Sequence, residues 1–194
     1  MREVTRDSSL RPLGLRAHPL VFGVVIFLAS ELMFFAGLFA AYFDLRGETA
    51  VWPPADVHLN LLESGVGTLL LAFSSAAVLL VTRTLSRNRA GAARGWLAAA
   101  ILLGVAFLGI AMHGWSKNRF YVGTHAYGSI FYAMTGFHAL HVLVGIVLLG
   151  ALFFGLQSGA FRTNHRAGAE AITYYWHFVF VVWVGIWGAI YLIR

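Results

Sequence analysis

Apolar residues run almost unbroken through five stretches of the chain, at roughly 19–44, 60–82, 95–116, 126–156 and 170–193, and the charged residues collect in the gaps between them. Each stretch meets the requirement of about 20 predominantly apolar residues for a helix to cross a bilayer core about 30 Å thick. The pattern predicts an all-α, polytopic membrane protein of five transmembrane helices. No internal repeat, linker or low-complexity segment divides residues 1–194, so one domain is expected. The gaps also predict direction. Arg2, Arg6, Arg11 and Arg16 precede the first span, Arg83, Arg87, Arg89 and Arg94 join the second and third, and Arg162 and Arg166 join the fourth and fifth. The opposite side holds Arg46, Lys117, Arg119 and Arg194, against Asp44, Glu48 and Asp56. The excess of basic residues marks the cytoplasmic side, which places the N-terminus in the cytoplasm and the C-terminus outside.

Composition strengthens this reading. Of 194 residues, 59% are hydrophobic and 11% charged, against about 25% charged in soluble domains. A net charge of +6 would suit a nucleic-acid partner, but its location in short loops between apolar spans makes it a topology signal. The chain has no cysteine. Disulfides, iron–sulfur clusters, thiolate zinc and cysteine-bridged copper are thereby removed, leaving histidine and carboxylate as ligands. Nucleophile arrangements, phosphate loops and nucleic-acid motifs are absent. The basic start MREVTRDSSLRPLGLRAHPL resembles the head of a signal peptide, yet the apolar run after it is too long and carries Glu31. An uncleaved first membrane helix is expected.

Ionisable groups inside lipid are costly, and four stand out. Glu31 lies about 18 Å into the first span at about 1.5 Å per residue. His138 and His141 stand mid-way through the fourth, nearly one helical turn apart, which predicts both imidazoles on one side of the helix. His177 sits in the fifth, within Tyr174-Tyr175-Trp176-His177-Phe178. Glu31 reads either as a carboxylic acid hydrogen-bonded within the bundle or as a proton-relay carboxylate facing a partner subunit. The small residues Ala36, Gly37, Ala40 and Ala41 on the same span would let a neighbouring helix approach closely. Asn60-Leu61-Leu62-Glu63 reads as a helix start with a capping-box character, and Ser64, Thr68, Ser74 and Ser75 as packing residues. His113, near a span end, reads as solvated. His141 and His177 fall at similar depths on neighbouring spans and could ligate a haem iron axially; their aromatic neighbours equally suit hydrogen bonding between helices.

Four blocks carry a resemblance that no single one would. Ala29-Ser30-Glu31-Leu32-Met33-Phe34-Phe35-Ala36-Gly37, Trp52-Pro53-Pro54, Thr135-Gly136-Phe137-His138-Ala139-Leu140-His141-Val142 and Tyr175-Trp176-His177-Phe178-Val179 stand in the order and spacing of subunit III of the haem–copper terminal oxidases. The chain resembles the short, five-helix bacterial form of cytochrome c oxidase subunit III, from about Val21 to Ile193. The resemblance implies an accessory, non-catalytic subunit of a multisubunit oxidoreductase in the bacterial plasma membrane, with no catalytic residue and no metal or redox centre of its own. Haems and copper are expected in its partners: subunit I in direct contact, with subunit II and other respiratory subunits in the assembly. Stabilisation of subunit I and support of proton uptake are the implied roles, with Glu31 as the proton-uptake candidate and His138, His141 and His177 as a structural polar core. His165 and Arg166 are candidate contacts for phospholipid headgroups. Phe180 stands where the family usually has an aspartate, and Ala111, His113 and Gly114 where it commonly has a Gln and a Glu. Related subunits serve quinol oxidases and nitric oxide reductases, and a bis-histidine haem carrier is the reading from another class.

Overall fold

The computed structural model describes residues 19–158 and 166–193, and all regular structure among them is helical. Five helices follow in order: α1 Pro19–Glu48, α2 Leu61–Ser86, α3 Ala90–Lys117, α4 Ala126–Gln157 and α5 Arg166–Trp187, the last running into a π-helical turn at Gly188–Leu192. All five are long and apolar enough to cross a membrane. They extend beyond the predicted spans at most ends, because a helix continues through the polar headgroup layer where hydropathy no longer marks it. His165 lies outside the described residues, and Arg166 is the first residue of α5.

Local chemistry sets the helix boundaries. Asn60 caps α2, its side-chain oxygen accepting from the Leu62 and Glu63 amides at 3.1 and 3.2 Å, which satisfies two of the orphan donors of a helix start. The capping-box expectation is met at Asn60, while Glu63 lies beside Lys117, at 3.6 Å, and His113, at 3.9 Å. His125 caps α4 in the same way, Nδ1 accepting from the Gly128 amide at 2.8 Å. Between α2 and α3 only Arg87, Asn88 and Arg89 intervene. Asn88 takes a left-handed backbone, φ 56°, which asparagine tolerates better than most side chains. That reversal folds α2 and α3 into the most extensively packed helix pair.

Helix α5 packs against α1, α2 and α4. Its centre is Trp176, buried between two glycines on different helices: a Cβ on Gly145 of α4 would lie 2.6 Å from the indole, and one on Gly104 of α3 2.9 Å. Both positions need the missing side chain so that the ring can enter. An antiparallel ladder joins α5 to α2. Trp187 Nε1 donates to Ser64 Oγ at 3.1 Å, Trp183 Nε1 to Thr68 Oγ1 at 2.9 Å, and His177 Nδ1 lies 2.6 Å from Ser75 Oγ. Ser74 donates instead to the Ala100 carbonyl of α3 at 2.8 Å.

Helix α1 is held differently. It buries only Phe35 and Tyr42 within the chain. Tyr42 donates to the Ala189 carbonyl in the π-helical turn at 2.9 Å, and Arg46 donates to the Ile193 carbonyl. The small face of Ala36, Gly37, Ala40 and Ala41 is exposed rather than packed, with no atom within 4 Å of a Cβ on Gly37.

Candidate functional site

Glu31 of α1 and His141 of α4 meet: Glu31 Oε2 lies 3.0 Å from His141 Nε2. The pair is half-buried, 22% and 13% exposed. Phe35, one turn along α1, packs edge-on against the imidazole with ring centroids 5.2 Å apart. The other ring nitrogen, Nδ1, lies 2.7 Å from the Phe137 carbonyl of the preceding turn. A carbonyl only accepts, so Nδ1 carries a hydrogen and donates it. Nε2 then has two states: it donates to a carboxylate, or it accepts from a carboxylic acid. In either hydrogen-bonded arrangement the charges of the two side chains cancel. Neutrality as a unit is what makes two ionisable groups tolerable in a membrane span. Tyr175 of α5 fixes the base of the site, its hydroxyl donating to the His141 carbonyl at 3.0 Å.

Beside the pair is an apolar cleft between α1, α4 and α5, of about 460 Å³, lined among others by Phe27, Leu140, His141, Val144 and Tyr175. The pair therefore sits against a greasy recess.

The expectation that His138 and His141 share one side of α4 is corrected. Three residues advance a helix by about 300°, leaving the side chains about 60° apart. In a helix enclosed on several sides, that difference selects a different neighbour. His141 faces α1, whereas His138 points into the centre among α3 and α5, 1% exposed, stacked on Trp183 with centroids 4.9 Å apart and edge-on to Phe107 at 5.8 Å. Its two ring nitrogens have no hydrogen-bond partner in the protein. His138 thus meets its neighbours through its ring alone, unlike His177, which is bonded to Ser75.

His141 and His177 are committed to different helices, α1 and α2, and both nitrogens of His141 are already engaged. Axial ligation of a haem by this pair would require breaking the Glu31 contact. Among the described residues no group of three or more His, Asp and Glu side chains could hold a metal ion. His113 is 60% exposed at its side chain, in keeping with a solvated position.

Sequence reasoning missed the Trp176 slot and the tryptophan donors of α5. A signal for the latter was present. Ser64 and Thr68 stand four residues apart on α2, as do Trp183 and Trp187 on α5, so antiparallel helices bring hydroxyls and indoles into register.

Comparison with known proteins agrees with this architecture. The family model described as cytochrome c oxidase subunit III matches residues 10–193. A probable cytochrome c oxidase subunit 3 of Nocardia farcinica is 35% identical over 178 residues, covering 89% of this chain and 87% of the relative. A cytochrome c oxidase subunit 3 of Thermostichus vulcanus is 33% identical over 174 residues with the same coverage. One of Synechocystis is 35% identical over 184 residues, covering 93% of this chain and 79% of the relative. With nearly its whole length matched and identity above 30% to full-length relatives, the chain belongs to the cytochrome c oxidase subunit III family.

Proposed function

We propose that this subunit III stabilises the haem-bearing subunit I of its oxidase and supports proton uptake through the Glu31–His141 pair. The observation that carries the reading is the 3.0 Å contact itself, a carboxyl and an imidazole sharing one proton inside a membrane span. Such a pair can pass a proton on without holding an unpaired charge when uptake at one member is matched by release from the other, which returns the unit to neutrality. The chain supplies no redox centre and acts as an accessory to partners that hold haem and copper. Its exposed α1 face, with Met33 at 77% and the small residues Ala36, Gly37, Ala40 and Ala41, suits close approach by a helix of subunit I. The N-terminus faces the cytoplasm of a bacterial cell, the C-terminus the outside, and phospholipid fills the apolar cleft beside His141, His165 and Arg166 remaining candidate headgroup contacts by their chemistry alone. Subunit II and other respiratory subunits complete the assembly.

The test is proton uptake and oxygen consumption of the purified oxidase carrying Glu31→Gln or Glu31→Ala. Glu31→Gln keeps the shape and a hydrogen bond but cannot exchange a proton, so uptake should slow while the complex still assembles. Unchanged uptake in both variants would remove the proton role. If the complex is reduced by quinol and not by cytochrome c, the electron-donor assignment changes but the role of the pair does not.

A further inference from the structure

On the inner face of α4, turned from the Glu31–His141 pair toward α3 and α5, a cavity of about 140 Å³ runs between α2, α3, α4 and α5. Its mouth is polar and lies at the end where α2 and α4 begin and α3 finishes: Asn60, Glu63, Lys117 and Asn118 line it there. Glu63 Oε1 at this end accepts no hydrogen bond from the protein. Ala111 and Gly114 leave the middle open; a Cβ on Gly114 would meet no atom within 4 Å. The far end is His138, about 18 Å along α4 from its first residue at about 1.5 Å per residue. Both ring nitrogens of His138 lack a protein partner although the residue is 1% exposed.

An unsatisfied buried polar group costs about 1–3 kcal/mol, so a native histidine left with none of its bonds needs a partner from outside the chain. The cavity offers one. It has room for several waters, and a water is retained only where it finds two to four polar partners. Here those partners exist at both ends. We propose that the α2–α5 cavity is a permanent internal water site, a short file of hydrogen-bonded waters that joins His138 to the aqueous layer at the Glu63–Lys117 end. Water is the ligand, because Glu63 Oε1 at the mouth and the two His138 nitrogens at the floor have no hydrogen bond in the protein, and an acyl chain would leave them unpaired. The file gives His138 exchange with one side of the membrane only, while His141, turned toward α1, exchanges with Glu31.

Radiolytic hydroxyl labelling of the intact oxidase in water enriched in oxygen-18 tests this, because side chains next to bound water are oxidised even when bulk solvent does not reach them. Label is expected on His138 and on Trp183 beside it, and not on Trp176, which is equally buried but enclosed by Gly104 and Gly145. Gly114→Leu fills the cavity from its middle without touching His138, and should abolish the His138 label while the complex stays assembled. A map of the complex fine enough to resolve ordered waters should place one within hydrogen-bonding distance of a His138 nitrogen. Absence of label on His138 in the unaltered complex, retention of that label in Gly114→Leu, or density for a lipid or detergent chain in the cavity would each overturn the proposal.

Discussion

A contact with an imidazole on another helix distinguishes Glu31 from an ordinary buried acid. The Phe137 carbonyl obliges His141 Nδ1 to donate, and that in turn makes Nε2 and the Glu31 carboxyl exchange partners. The same scale governs Trp176, whose ring occupies the space that a side chain on Gly145 would need. Gly145→Ala places a methyl 2.6 Å from that ring, and overpacking of this kind costs about 1–3 kcal/mol. The expected result is a lower melting temperature of the purified complex and partial loss of this chain from it; Gly109→Ala on α3, with open space at its Cβ, serves as the neutral comparison. Glu31 and the three intramembrane histidines were legible in the sequence, because an ionisable residue in an apolar run announces itself. Which helix each would address was not. That depends on angular differences of about 60° around α4, and on glycines whose significance appears only when a tryptophan from another helix fills the gap.

Between helices, the account rests on the α2–α5 ladder. Each indole N–H removed by Trp→Phe loses one hydrogen bond, worth about 1 kcal/mol, without leaving its hydroxyl partner unbonded, since Thr68 Oγ1 still donates to the Ser64 carbonyl and Ser64 Oγ to the Leu61 carbonyl. Trp183→Phe and Trp187→Phe should each lower the melting temperature modestly. The double variant should approach the sum, because the two rungs, although linked through the Thr68 to Ser64 bond, keep separate hydroxyl partners. A double variant as stable as the parent would show that ring packing and not the hydrogen bonds joins these helices. Five spans were readable from hydropathy alone, since lipid leaves the backbone no alternative to helices of this length. Their extra turns were not, because α1 and α3 continue into polar sequence at Glu48 and from Ala90. Nor does the weak hold on α1 follow from hydropathy, which rates a helix facing lipid and a helix facing a partner alike.

For the whole molecule, the direction of insertion has a direct check, since the chain contains no cysteine to confuse labelling. Single substitutions Thr49→Cys, after α1, and Ser86→Cys, at the end of α2, lie at opposite ends of the bundle. A maleimide that cannot cross the membrane should label Thr49→Cys in intact cells and leave Ser86→Cys untouched; the reverse pattern would invert the proposed topology and move the mouth of the α2–α5 cavity to the other side. The blocks around Glu31, His138 and His177 placed the chain in its family from sequence, because residues tied to a shared bundle keep their spacing. The chemistry of the partner is not written in this chain, which presents a carboxyl–imidazole pair and an exposed face of small residues on α1. The most direct measurement is therefore the number of turnovers the purified oxidase completes before it inactivates, with the parent chain, with Glu31→Ala and with the chain removed. Glu31→Ala should assemble fully yet inactivate early and take up protons slowly, between the parent and the depleted enzyme. An oxidase whose turnover lifetime and proton uptake are the same in all three would contradict the account.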